Sequence, residues 1–247
     1  MANSSLDKNM AIGNIVLLSQ VAGYVVALIL SICVTIPISL HQDEFKGHCL
    51  LFSTGIWQET DGQLKVDWAS QGYCNYTIFI GSALFVISSI QIYRLSLLLC
   101  RGQDSSFLSA FFDVLINVLA CGGIIIAALM ITLGFMVWCD TITQRFPYCE
   151  IAAGQMIDKQ DGIDTSMFYI ELGTAQFGIW GSFATWVGLC VFSLLKLCRY
   201  HQIENMRVSM YRERRRLIEE NAESPGNSLG RESTHTTSTV ASKGEVD

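Results

Sequence analysis

Four long apolar stretches, at 12–40, 76–100, 107–138 and 169–198, decide what this chain can fold into. Crossing the hydrocarbon core of a bilayer takes ~20 mostly apolar residues, and every one of the four exceeds that length. Inside lipid, backbone N–H and C=O groups find no water to bond. A spanning segment is therefore a helix or a strand of a closed barrel. Barrel strands alternate polar and apolar residues, whereas these runs are continuous, which predicts helices. The charged fraction agrees: 15% of the 247 residues are Asp, Glu, Lys or Arg, against about 25% in soluble domains. The expected fold is an all-α membrane protein, a four-transmembrane-helix bundle.

The first run follows a polar N-terminal segment at 1–11. Its apolar part outlasts the ~7–15 residues of a signal-peptide core, and no A-x-A-like site precedes the loop. Pro37, Ser39, Leu40 and His41 stand there instead. The run reads as an uncleaved signal anchor, with cleavage as the alternative.

Lysine and arginine set the orientation of such a bundle. The loop at 40–75 holds Lys46 and Lys65, and the loop at 140–168 holds Arg145 and Lys159. The segment after the fourth run holds Lys196, Arg199, Arg207, Arg212, Arg214, Arg215 and Arg216. Both termini are expected in the cytosol and both long loops on the lumenal or extracellular side. Twelve of the 16 Lys and Arg then face the cytosol, and the net charge of −6 is a sum over two compartments.

That topology sorts the nine cysteines. Cys49, Cys74, Cys139 and Cys149 fall in or beside the two loops, in an oxidising compartment where disulfides persist. Pairing Cys49 with Cys74 and Cys139 with Cys149 closes each loop on itself; pairing across the loops is the alternative. Cys33, Cys121 and Cys190 lie within spans as packing residues. Cys100 and Cys198 stand at cytosolic helix ends, where a thiol is either S-palmitoylated or simply unmodified. Two N-x-[ST] sequons occur, at Asn3 and Asn75. Asn3 is cytosolic, so it is expected to stay bare. Asn75, the glycosylation candidate, lies against the second span, where glycosyl transfer lacks room.

Polar residues inside the spans are Gln20, Ser88, Ser89, Gln91, Asp113, Asn117, Thr132, Glu171, Gln176 and Thr185. Asp113 and Asn117 are one turn apart on one helix face. Two readings compete: an ion or proton path, or interhelical hydrogen bonds that fix packing. Packing is favoured, since two acidic residues at opposite ends make no relay. Glu171, at the lumenal end of its span, is expected to reach water. Small residues such as Gly81, Gly123, Gly178 and Gly181 mark places of close helix approach, within a bundle or in a homo-oligomer. Trp57, Trp68, Trp138 and Trp180 stand in loops or near span ends, as interface anchors do.

After the spans, 199–221 reads as a basic juxtamembrane helix. Its cluster Arg212, Arg214, Arg215 and Arg216 suits anionic lipids at the cytosolic face, although the ordinary positive-inside signal also accounts for it. Segment 222–247 is a Ser/Thr-rich tail with the composition of a disordered chain. Nothing points to nucleic acid, a cofactor or a metal. H-E-x-x-H, C-x-x-C, the P-loop and G-x-S-x-G are all absent. The acidic stretch at 158–164 misses EF-hand spacing.

The stretch E-F-K-G-H-C-L-L-F at 44–52 with Gly55-Ile56-Trp57, then W-C-D-T-I-T at 138–143 with Cys149-Glu150, then A-Q-F-G-I-W at 175–180, resembles the transmembrane protein 179 family. The resemblance implies a four-span membrane protein and carries no assigned activity. A weaker similarity, to synaptogyrin and MARVEL-type four-span proteins, rests on Cys49 with Phe52, on Cys74 with Tyr76 and Gly81, and on two cytosolic termini. It implies a role in vesicle membranes or membrane apposition. The W-G-L-W…C…C loop signature of claudin-like proteins is absent, as is the C-C-G of tetraspanins. The expectation is a non-enzymatic protein that organises membranes or membrane-protein partners, in plasma or secretory and vesicle membranes. The alternative is a channel or transporter, or an auxiliary subunit of one.

Overall fold

The computed structural model describes residues 2–59, 62–101, 107–155 and 165–223, with side chains between 15 and 220. The acidic stretch at 158–164, the tail beyond 223 and the side chain of Asn3 lie outside that description. The chain forms two units, Met1–Leu197 and Cys198–Asp247. The described residues form four long helices: α1 (Ala2–Glu44), α2 (Gly72–Arg101), α3 (Phe107–Thr143) and α4 (Phe168–Glu223). All four are long and apolar enough to cross a membrane.

The bundle is mostly helical but not all-α. The first long loop folds into an antiparallel hairpin, β1 (Cys49–Trp57) and β2 (Leu64–Ala69). Leu64-Lys65-Val66-Asp67-Trp68 alternates apolar and polar, the period of a half-buried strand. In β1, Cys49, Leu50 and Leu51 are all buried. A regular strand turns successive side chains to opposite faces, so three consecutive inward residues need an irregularity. The register shifts between Cys49 and Thr54, and Phe52 takes a left-handed φ of 64° there. Ser53 repairs the ladder: its hydroxyl donates to the Cys49 carbonyl at 2.7 Å and accepts from the Ala69 N–H at 3.0 Å.

The hairpin explains why α3 runs past the expected span end at 138. Trp138, Thr141 and Ile142 are buried, and the Trp57 indole donates to the Thr141 carbonyl at 3.1 Å. A Cβ on Gly134 would stand 2.8 Å from Leu51 Cβ, so hairpin and helix meet where only glycine fits. Trp138 is thus a core residue, and the interface-anchor expectation is corrected for it. The second loop joins the same cap. Arg145 lies over the Trp57 ring at 5.2 Å and donates to the Gly62 carbonyl at 3.0 Å. Disulfides join Cys49 to Cys74 and Cys139 to Cys149. The latter pair anchors a 3₁₀ turn (Cys149–Ala152) to α3.

Within the membrane segment, α1 is the helix around which close approaches are made. A Cβ on Gly178 of α4 would lie 3.0 Å from Val34 and 3.1 Å from Cys33, and one on Gly181 would lie 3.2 Å from Leu30. On α2, Gly81 faces Thr35 and Val34. Apolar side chains gain little by leaving lipid for protein, so such contacts act through packing. Gly122, Gly173 and Gly188 meet nothing within 4 Å. In the second unit, residues 201–220 are exposed throughout.

Overpacking costs about 1–3 kcal/mol at a tight site. Gly178→Leu should therefore lower the Tm of the detergent-solubilised protein, while Gly188→Leu should leave it near wild type.

Candidate functional site

The most concentrated chemistry in the bundle lies at the end opposite the loop cap, where α2 and α3 connect. Asp113, 7% exposed, receives the Arg94 guanidinium Nη1 at 2.9 Å and the Gln91 amide at 3.0 Å, both on Oδ1. Arg94 Nη1 also donates to Gln91 Oε1 at 2.9 Å, and Nη2 donates to the Ser109 hydroxyl at 2.7 Å. One turn along α3, Asn117 is fully buried. Its Oδ1 accepts the Tyr24 hydroxyl at 3.0 Å. Its amide donates to the Ser193 hydroxyl at 2.7 Å and to the Leu189 carbonyl at 3.4 Å. These two bonded groups, one turn apart on α3, thereby reach α1 through Tyr24, α2 through Gln91 and Arg94, and α4 through Ser193.

The polar residues read from sequence divide into groups. Asp113 and Asn117 centre these two adjacent groups, and buried Gln20 sits one turn before Tyr24 on α1. Gln176 lies elsewhere: its amide reaches Thr132 Oγ1 at 3.5 Å, beside the Trp180 indole, which donates to the same hydroxyl at 3.1 Å. Glu171 is a correction. It is 7% exposed rather than solvated, and its Oε2 lies 3.6 Å from Nδ1 of fully buried His41. Phe45 packs on that imidazole, with ring centroids 4.2 Å apart.

Arg94 and Tyr24 were not among the polar residues singled out from the sequence. The signal was positional. In a helical hairpin, residues equally far from the turn stand opposite one another, and Arg94 and Asp113 flank the 102–106 connection almost symmetrically.

Chemically, the site is an arginine–carboxylate pair held by an amide and a hydroxyl, beside a buried amide bonded to two hydroxyls and a backbone carbonyl. Among the described residues, no group of three or more His, Cys, Asp or Glu is placed to hold a metal ion. Cys100 and Cys198 carry exposed free thiols. Asn75 is exposed on the first turn of α2 and accepts from Gln42 at 3.3 Å. Its sequon partner Thr77 is fully buried and bonded to the Tyr73 carbonyl at 3.0 Å. Arg212, Arg214, Arg215 and Arg216 are exposed, with Arg215 over the Tyr211 ring at 5.6 Å.

A family model described as the transmembrane protein 179/179B claudin domain matches residues 16–218. The chain belongs to the transmembrane protein 179/179B family. Its match takes in nearly all of the four spans, both disulfides and the hairpin. The claudin description stands although the W-G-L-W…C…C order is missing; here Gly55-Ile56-Trp57 follows Cys49 instead of preceding it. The transmembrane protein 179/179B family is a claudin-like membrane family, not one known for catalysis. No solved structure matches the chain at a significant level.

Intramembrane hydrogen bonds average ~0.6 kcal/mol, with a maximum near 1.7. Asn117→Ala removes three and should cost about 1–2 kcal/mol, measured as reduced resistance to denaturation in mixed micelles. At Asn75, the buried threonine hydroxyl predicts no glycan: PNGase F should leave the mobility of the mature protein unchanged.

Proposed function

We propose that this protein is a non-enzymatic membrane organiser, which holds membranes or membrane-protein partners in place through its loop cap. The observation that carries the reading is the construction of that cap. Two loops, each closed by its own disulfide, are joined through Trp57, Arg145 and Gly62. The cap presents Ile56 at 77% and Tyr148 at 71% exposure. Exposed apolar side chains on a cross-linked surface suit partner contact, because little conformational freedom is left to lose on binding.

The distribution of Lys and Arg supports an orientation with both termini in the cytosol and the cap on the lumenal or extracellular side. In that orientation 199–221 is a juxtamembrane helix whose Arg212, Arg214, Arg215 and Arg216 meet anionic lipids, and 222–247 is a cytosolic tail. Cys100 and Cys198 are then the candidates for acylation. Plasma membrane and secretory or vesicle membranes both suit a chain with loop disulfides.

A channel or auxiliary-subunit role is the second reading, motivated by the Arg94–Asp113 pair. The described bonds of that pair and of Asn117 end on groups of the bundle itself, which favours the organising role.

Proximity labelling from the cap should recover membrane proteins, and Ile56→Asp with Tyr148→Ser should reduce their recovery while Tm is kept. Recovery of no membrane protein from secretory or neural cells would overturn the reading. So would an ion flux in reconstituted vesicles that Asp113→Asn abolishes.

A further inference from the structure

Helices α2 and α3 meet along a seam whose two sides step in register. On α2, Ile80, Ile87 and Arg94 recur every seven residues, two turns apart on one face. On α3, Gly123, Ile116 and Ser109 do the same. The ends of the seam are pinned by observed contacts. A Cβ on Gly123 would touch Ile80 Cδ1 at 3.0 Å, and Arg94 donates to Ser109 at 2.7 Å. Between those ends the helices part, leaving a groove of about 220 Å³ whose lining side chains are all apolar, Ala83 and Ala120 among them. The lining ends at Ile87 and Ile116, and the Arg94 guanidinium stands two turns further along the same seam.

Depth fits the same picture. The 30 residues of α2 span about 45 Å at ~1.5 Å each, against ~30 Å of hydrocarbon. Arg94, seven residues before Arg101, then lies about 10 Å from the helix end, near the hydrocarbon boundary, with the groove above it in the acyl layer. The Arg94 side chain is 37% exposed. A guanidinium has five N–H groups. The described bonds are three, on Nη1 and Nη2, leaving Nε–H and a second Nη2–H for an oxyanion. Asp113 holds the Nη1 side, so an incoming anion meets the edge away from the carboxylate.

We propose that the α2–α3 seam binds one anionic phospholipid, an acyl chain in the groove and the headgroup phosphate on Arg94. Arginine suits phosphate through paired, charge-assisted hydrogen bonds. This site is separate from Arg212–Arg216 and from the organising role. In the orientation proposed above it faces the leaflet that carries the anionic lipids.

The test uses the full chain in nanodiscs with a phosphatidylserine bearing a diazirine on its acyl chain. Photolabel should concentrate on 80–87 and 116–123, relative to lipid-exposed stretches of α1 and α4. Unlabelled phosphatidylserine should displace it about fivefold better than phosphatidylcholine, equivalent to the roughly 1 kcal/mol that one arginine contributes beside an anionic leaflet. Ala120→Phe, which fills the groove, should abolish the enrichment, and Arg94→Gln should remove the headgroup preference while keeping the chain in place. The wild-type competition needs neither variant, so a misfolded mutant leaves it standing. Label spread evenly over all four helices would reduce the lipid to an ordinary annular one. Equal competition by both headgroups, or crosslinks from the seam to a second copy of the chain, would also overturn the proposal.

Discussion

Hydrocarbon supplies no hydrogen bonds, and that constraint organises the molecule from the backbone outward. It makes each spanning segment a helix, since only a helix bonds its own backbone. It also favours hydrogen bonds between polar side chains buried on neighbouring helices. Asn117 is the clearest case: its amide reaches Ser193 and Leu189 on α4, while its carbonyl takes the Tyr24 hydroxyl from α1. With Arg94 and Gln91 bonded to Asp113 from α2, one end of the bundle is tied by polar contacts. The middle is set by glycines that let α1 approach α2 and α4. The far end is closed by disulfides and aromatic packing. Each device acts where the solvent makes it effective.

The spans and the favoured cysteine pairing were legible because they rest on chemistry that is local in sequence: a run of apolar residues, or two thiols bracketing one loop. The hairpin was half legible. Leu64-Lys65-Val66-Asp67-Trp68 has the strand period, but β1 lacks it, because the bulge at Phe52 lets three successive residues turn inward. Arg94 was hidden by its own charge, which suits a cytosolic loop edge as well as an ion pair. Glu171 and Trp138 were misplaced for one reason. Both lie at span ends where a bare helix would meet water, and here the folded loops or a neighbouring helix cover them.

The family match reframes the missing claudin loop signature. This chain has four helices long and apolar enough to span a membrane, with a β-hairpin in the first long loop stapled by a disulfide. Cys49 opens β1 and is joined to Cys74 in the first turn of α2, while Trp57, at the other end of β1, reaches Thr141 and Arg145. That reach is what turns two loops into one cap.

The bridge from Trp57 to Thr141, with Arg145 lying over the indole and reaching back to Gly62, makes the two loops a single structural unit. Neither keeps its shape if the other is replaced. A chimera between family members that exchanges only the first loop loses the indole's acceptor geometry and the arginine's carbonyl. One that exchanges both together keeps them. Variation in the surface of this cap is therefore expected to move through evolution as a coupled pair, with changes near Trp57 matched by changes near Arg145.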